Sequence, residues 1–150
     1  MQMGGLVAIV TGASRGIGRA IAKEYAREGA KVVVTARSMT TTGLPSTITQ
    51  TARDIQQSGG DAMPLACDVT DEEQVREMVR EVISRYGQID VLVNNAGVFY
   101  PRKPFLEFEP ALWEETMSVN VRGPYLTCRY VLPAMMRQRR GSIINLGSQA

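Results

Sequence analysis

A doubly wound α/β fold, with a parallel sheet of about five strands covered by helices on both faces, is predicted by three features of the sequence. Short apolar runs alternate with amphipathic segments along the chain. Glycines stand where apolar runs end and where amphipathic segments stop. No linker or composition break divides the 150 residues, so residues 1–150 are expected to form one domain around one core. Right-handed crossovers between successive runs make the strands parallel and place helices on both sides.

The elements follow in order. Leu6 to Val10 is an apolar run ending at Thr11-Gly12, as a strand buried on both faces requires. Ile17 to Glu28 places Ile17, Ala20, Ile21, Tyr25 and Ala26 at helical spacing, with Gly29 as the stop. Val32 to Val34 makes the second strand. Ser38 to Thr51 reads as a surface excursion, and its polar part, Ser38 to Ser46, precedes a helix running through Gln57 to Gly59-Gly60. Met63 to Cys67 is the third strand. Asp71 is placed to cap the next helix, whose stripe is Val75, Met78, Val79, Val82 and Ile83, stopped by Gly87. Ile89 to Val93 is the fourth strand. A long helix from about Ala111 to Met136 follows, with Pro124 and Pro133 expected to kink or interrupt it. Ser142 to Leu146 is the fifth strand.

Composition narrows the chemistry. Hydrophobic residues make up 44% and charged residues 21%, as in ordinary globular chains. A net charge of +2 without interleaved aromatics gives no case for nucleic acid. Arg137, Arg139 and Arg140 stand where a helix should end, where cations complement its dipole. Cys67 and Cys128 have no paired spacing, which fits a reducing compartment and argues against a disulfide framework or a zinc site. No run has membrane-spanning length, and Met1 to Gly5 lacks a leader's charged and apolar regions. A cytoplasmic location is therefore expected. The chain has no histidine. That excludes a Ser-His-Asp triad and an imidazole acid or base, leaving Tyr, Lys, Cys or a carboxylate for proton chemistry.

Gly12, Gly16 and Gly18 lie between a predicted strand and a predicted helix. Glycine there lets the backbone approach a ligand, while the free amides and positive end of the helix favour phosphate. The Gly-x-x-x-Gly-x-Gly spacing differs from the general Gly-x-Gly-x-x-Gly fingerprint but points to the same ligand, a dinucleotide.

Thr11 to Gly18 resembles the cofactor motif of the classical short-chain dehydrogenase/reductase family, and four more segments match in order. Cys67-Asp68-Val69 is similar to the family's adenine-contacting stretch. Asn94-Asn95-Ala96-Gly97 is similar to the signature at the end of the fourth strand. Asn120, in Ser118-Val119-Asn120-Val121, matches the helix asparagine supporting the proton relay, and Ser148 matches the catalytic serine. The resemblance implies a Rossmann-type fold and hydride exchange between a nicotinamide and a small alcohol or carbonyl substrate. It also implies a homo-oligomer in the full-length family form. It makes Asn120 and Ser148 the catalytic positions present. Gly12, Ser14, Arg15, Gly16, Ile17, Gly18, Arg37, Asp68, Val69, Asn94, Ala96 and Gly97 become the cofactor positions. Residue chemistry leaves other uses open: Asp68 can cap a turn, Asn94 and Asn95 can satisfy strand-end backbone groups, and Ser148 can be a loop serine.

Thr35-Ala36 ends the second strand without a carboxylate to hold the NAD ribose, and Arg37 follows. With Arg15 in the glycine turn, two guanidinium groups suggest NADP(H) in preference to NAD(H). The family's Tyr-x-x-x-Lys pair follows shortly after such a serine, and these 150 residues hold none. Tyr125 and Arg129 have the spacing but precede Ser148, and arginine does not release a proton. The sequence therefore reads as a family chain cut short before its last strands and helices, catalytically inactive alone. It leaves Ser142 to Leu146 as an exposed sheet edge. Phe99 to Phe105 is placed to contribute one substrate wall.

Overall fold

The computed structural model describes residues 1–39 and 47–148. Its five strands are β1 (Val7–Thr11), β2 (Lys31–Ala36), β3 (Asp61–Ala66), β4 (Val91–Asn94) and β5 (Ser142–Asn145). They form one parallel sheet in the order β3-β2-β1-β4-β5.

The period of two in a strand explains the two cores. Val7 and Ile9 of β1, Val33 of β2 and Leu92 of β4 face one side, against Val75, Val79 and Val82 of α3 (Glu72–Tyr86) and Leu126 and Val131 of α5 (Gly123–Gln138). Ala8, Val10, Val32, Val34, Val91 and Val93 face the other, against Ala22 of α1 (Gly16–Arg27) and Ile48, Ala52 and Ile55 of α2 (Ile48–Gln57). Each large aliphatic side chain so buried contributes about 1.5–3 kcal/mol. Helices therefore cover both faces, as the alternating segments imply.

Local chemistry sets the helix ends. Asp71 Oδ1 accepts from the Glu73 and Gln74 amides at 3.0 and 3.1 Å, the cap that the sequence places there. Thr47 Oγ1 caps α2 by accepting from Gln50 N at 3.1 Å. Each such cap is worth about 1 kcal/mol. Gly87, with φ of 76°, closes α3 in the left-handed region.

Several boundaries differ from expectation. Ile48 and Thr51 are fully buried in the first turn of α2, so the excursion ends earlier than Thr51. Thr51 belongs there because its hydroxyl donates to Ala13 O at 3.0 Å. Residues 40–46 of that excursion lie outside the described residues. β3 begins two residues early, at Asp61, and β4 two residues late, at Val91. Asp90, 4% exposed, instead anchors the sheet, accepting from Val7 N, Gln88 Nε2 and Arg140 Nε at 2.9, 2.6 and 2.9 Å. Arg140 is thus an ion-pair partner of a buried carboxylate rather than a helix-end cation alone.

The long helix is divided. α4 (Pro110–Met117) passes through a π-helical turn (Ser118–Arg122) into α5. Pro124 accounts for the position of the turn, because its ring crowds the carbonyl four residues back, that of Asn120. Pro133 does not end α5, which is held to the sheet by Leu126, Val131, Ala134 and Met135. Ile144 and Leu146 are partly exposed at the β5 edge, 40% and 38%.

Candidate functional site

The strand order reverses between β1 and β4, so the loops leaving their carboxyl ends diverge and open a crevice. Thr11 binds the two loops together. Its hydroxyl accepts from the Asn95 and Ala96 amides, both at 3.0 Å, and donates to Val93 O at 3.3 Å. Asn95 Nδ2 returns the link, donating to Thr11 O at 3.0 Å and Gly12 O at 3.2 Å.

Close packing makes glycine obligatory at two positions. A β-carbon on Gly12 would lie 2.9 Å from Ala96 Cα, and one on Gly18 would lie 2.4 Å from Asn95 Nδ2. Gly16 is different. Its φ is 55°, and a β-carbon there would meet nothing within 4 Å. It leaves space on the ligand side. Arg15 begins α1 without a side-chain cap, and the first turn holds no acid, so the helix amides and dipole face the crevice unopposed.

The crevice is a cavity of about 450 Å³. Ten expected residues line it: Gly12, Ser14, Arg15, Gly16, Ile17, Arg37, Asp68, Val69, Ala96 and Gly97. Ala36, Cys67, Asn95, Val98 and Val119 complete the wall. Asn95, Cys67 and Val119 stand inside recognised motifs, while Val98 carried no chemical signal and is placed by the fold alone. Among the described residues, neither Arg15 nor Arg37 forms an ion pair, and both line the cavity.

Asp68 Oδ1 accepts from the Thr70 amide and hydroxyl at 2.9 and 2.8 Å, so the residue shapes its own turn as well as lining the cavity. Arg122 Nη1 holds the same turn through Thr70 O at 2.6 Å, and Val69 packs on Gly123. Burial, reinforced by the charges of Asp68 and Asp71, pushes the Cys67 thiol up to about 12. It stays protonated and is not a nucleophile at neutral pH.

Four expected site residues lie outside the cavity lining. Gly18 is beneath it, filled by Asn95 and the Gly12 carbonyl. Asn94, 5% exposed, points into the sheet–α5 interface, where its Oδ1 accepts from Thr127 Oγ1 at 2.6 Å and its Nδ2 donates to Asn145 Oδ1 at 2.8 Å. Asn95, its neighbour, lines the cavity instead. Asn120 sits in the π-helical turn and grips the Val98 backbone, accepting from its amide at 2.8 Å and donating to its carbonyl at 2.9 Å. It supports the cavity wall. Ser148 is exposed, beyond the carboxyl end of β5. Tyr125 and Arg129 form an exposed surface pair, 3.2 Å apart on α5.

Among the described residues, no group of three His, Cys, Asp or Glu side chains is arranged to hold a metal, and no helix is long and apolar enough to cross a membrane.

This glycine-cradled crevice at a sheet's reversal point defines a dinucleotide-type α/β protein. The family model for short chain dehydrogenases matches residues 6–150, and the chain belongs to that family. It is 38% identical over 146 residues to hydroxysteroid dehydrogenase-like protein 2 of Bos taurus, covering 97% of this chain and 35% of that protein. It is 37% identical over 141 residues to the 3-oxoacyl-(acyl-carrier-protein) reductase FabG of Staphylococcus aureus, covering 94% of this chain and 55% of that protein. The crystal structure of a metagenomic short-chain oxidoreductase in complex with NADP superposes with a TM-score of 0.91 at 41% identity, covering 100% of this chain and 65% of that one. The chain thus spans between about a third and two-thirds of the length of these relatives.

Proposed function

We propose that residues 1–150 form the cofactor-binding domain of an NADP(H)-dependent short-chain oxidoreductase acting on a small alcohol or carbonyl compound. The observation that carries this reading is the cavity itself: an uncapped helix end, a glycine turn that leaves room for a ligand, and two arginines that form no ion pair among the described residues, around one crevice. The donor set fits a dinucleotide. The α1 amides suit the diphosphate, Arg15 and Arg37 suit a ribose phosphate, and Asp68 suits the adenine amine. The 41%-identical neighbour in complex with NADP supports the same choice. When bound, the dinucleotide supplies the hydride chemistry.

The chain's own groups orient and exclude. Val69, Val98 and Val119 give the cavity an apolar wall that displaces water from the bases. Asn120 keeps Val98 in place, and Ser148 is offered as the group that holds the substrate oxygen. The proton is assigned to a Tyr-x-x-x-Lys pair of the family type, which these 150 residues do not contain. In this reading they bind nucleotide without turning over. Two further assignments rest on surface and composition. Trp113, Met117, Val121 and Tyr125 expose an apolar stripe at four-residue spacing, which supports homo-oligomer formation through α4 and α5. Two free cysteines, one of them buried, support a reducing compartment such as the cytoplasm.

The test is NADPH oxidation with a panel of ketones and aldehydes. The 150-residue chain is compared with a version extended through a family-type Tyr-x-x-x-Lys segment. Turnover by the extended protein, lost on Ser148→Ala and at least 10³-fold weaker in the shorter chain, is the expected outcome. Equal turnover by both would mean another proton donor exists and would refute the assignment.

A further inference from the structure

A second cavity, of about 320 Å³, adjoins the first and shares Arg37, Asp68 and Val119 with it. Its far side is acidic, formed by Glu114 and Glu115 near the carboxyl end of α4. Glu115 is not a loose surface charge. The Tyr100 hydroxyl donates to its Oε2, tying the carboxylate to the loop after β4. The same phenol also feels the positive charge of Arg37, which opposes the upward shift caused by Glu115. Arg37, Tyr100 and Glu115 are therefore neighbours around one space. Among the described residues, no ion pair joins Arg37 to either glutamate, so both signs line one space without being joined.

A phosphate drawn to Arg37 must enter a field that already contains this fixed negative charge. A ribose hydroxyl entering the same place meets no such opposition, because it carries no charge. The difference acts on selectivity more than on overall affinity.

We propose that Glu115 is a specificity-determining residue: held by Tyr100 opposite Arg37, its carboxylate opposes the extra phosphate of NADP(H) and narrows the preference over NAD(H). The proposal rests on the reading that Arg37 meets that phosphate. For two charges lining one partly exposed, high-dielectric space, the expected effect on the affinity ratio is about three- to tenfold. It shrinks in high salt, which screens such pairs.

The experiment measures dissociation constants of NADPH and NADH for the unaltered chain and for Glu115→Gln, Glu115→Asp and Arg37→Gln, at low and high salt. Thermal melts establish that each variant is folded. Glu115→Gln keeps an acceptor for Tyr100 while removing the charge, and should raise the NADPH-over-NADH ratio about three- to tenfold, chiefly through tighter NADPH. Glu115→Asp keeps the charge and should leave the ratio within about twofold. An unchanged ratio in Glu115→Gln, or an equal rise in Glu115→Asp, overturns the proposal. Loss of NADPH affinity in Arg37→Gln supports the phosphate reading beneath it. No loss there overturns that reading and the proposal with it.

Discussion

A β-carbon at Gly18 would stand 2.5 Å from the Gly12 carbonyl oxygen and closer still to Asn95, whereas one at Gly16 would enter open space. The first cost falls on packing, the second on ligand room and on a backbone with φ of 55°. Gly18→Ala is therefore expected to lose about 2–4 kcal/mol of unfolding free energy, because backbone must shift. Gly16→Ala should lose only about 1–2 kcal/mol, the cost of the left-handed conformation, yet weaken nucleotide binding at least as much as Gly18→Ala does. Denaturant titration and nucleotide binding on both variants check this; equal stability losses would contradict the division. At this scale the sequence was informative about residue type and less so about direction. Glycine and asparagine clusters are visible as letters. That Asn95 faces the cavity while Asn94 faces Thr127 and Asn145 depends on which side of the sheet each residue reaches as β4 ends.

Helices α1 and α2 are joined by an ion cluster on their outer faces. Asp54 Oδ2 lies 2.6 Å from Arg19 Nη2 and 2.8 Å from Lys23 Nζ, while its Oδ1 accepts from Gln50 Nε2 at 2.7 Å. Lys23 foremost, then Gln50 and Arg19, hold this carboxyl well below the usual carboxylate range. The folded protein thus binds the Asp54 proton less readily than the unfolded chain. Its contribution is complete above the ordinary carboxylate value and drains away as the pH falls below it. Asp54→Asn should therefore lower the melting temperature by about 1–3 °C at neutral pH, with the deficit unchanged up to pH 8 and shrinking below about pH 4. A deficit that grows on acidification would contradict this role. Helix and strand identities were legible because periodicity and caps are local, as at Asp71 and Gly87. The π-helical turn was not, since Pro124 announces a disturbance without saying how the backbone absorbs it. That the excursion stops short of Thr51 reflects a tertiary bond, Thr51 to Ala13, that no local pattern encodes.

For the molecule as a whole, the strand order places the glycine turn after β1 beside the loop after β4, and Arg37 and Asp68 follow β2 and β3 at the same sheet edge. The fold class was readable because alternating segments and right-handed crossovers leave few arrangements. The cavity was readable in ten of its residues because each sits at the carboxyl end of a strand or at the start of α1. Val98 was not, because an aliphatic residue outside every motif advertises no chemistry in one dimension. The proposed function requires this edge to bind a phosphorylated nicotinamide dinucleotide through Arg15 and Arg37. Titration calorimetry of the 150-residue chain with NADPH and NADH tests it most directly. NADPH is expected to bind at least about tenfold more tightly, with Arg37→Ala removing most of that advantage. Equal affinities, or an NADH preference untouched by Arg37→Ala, would contradict it.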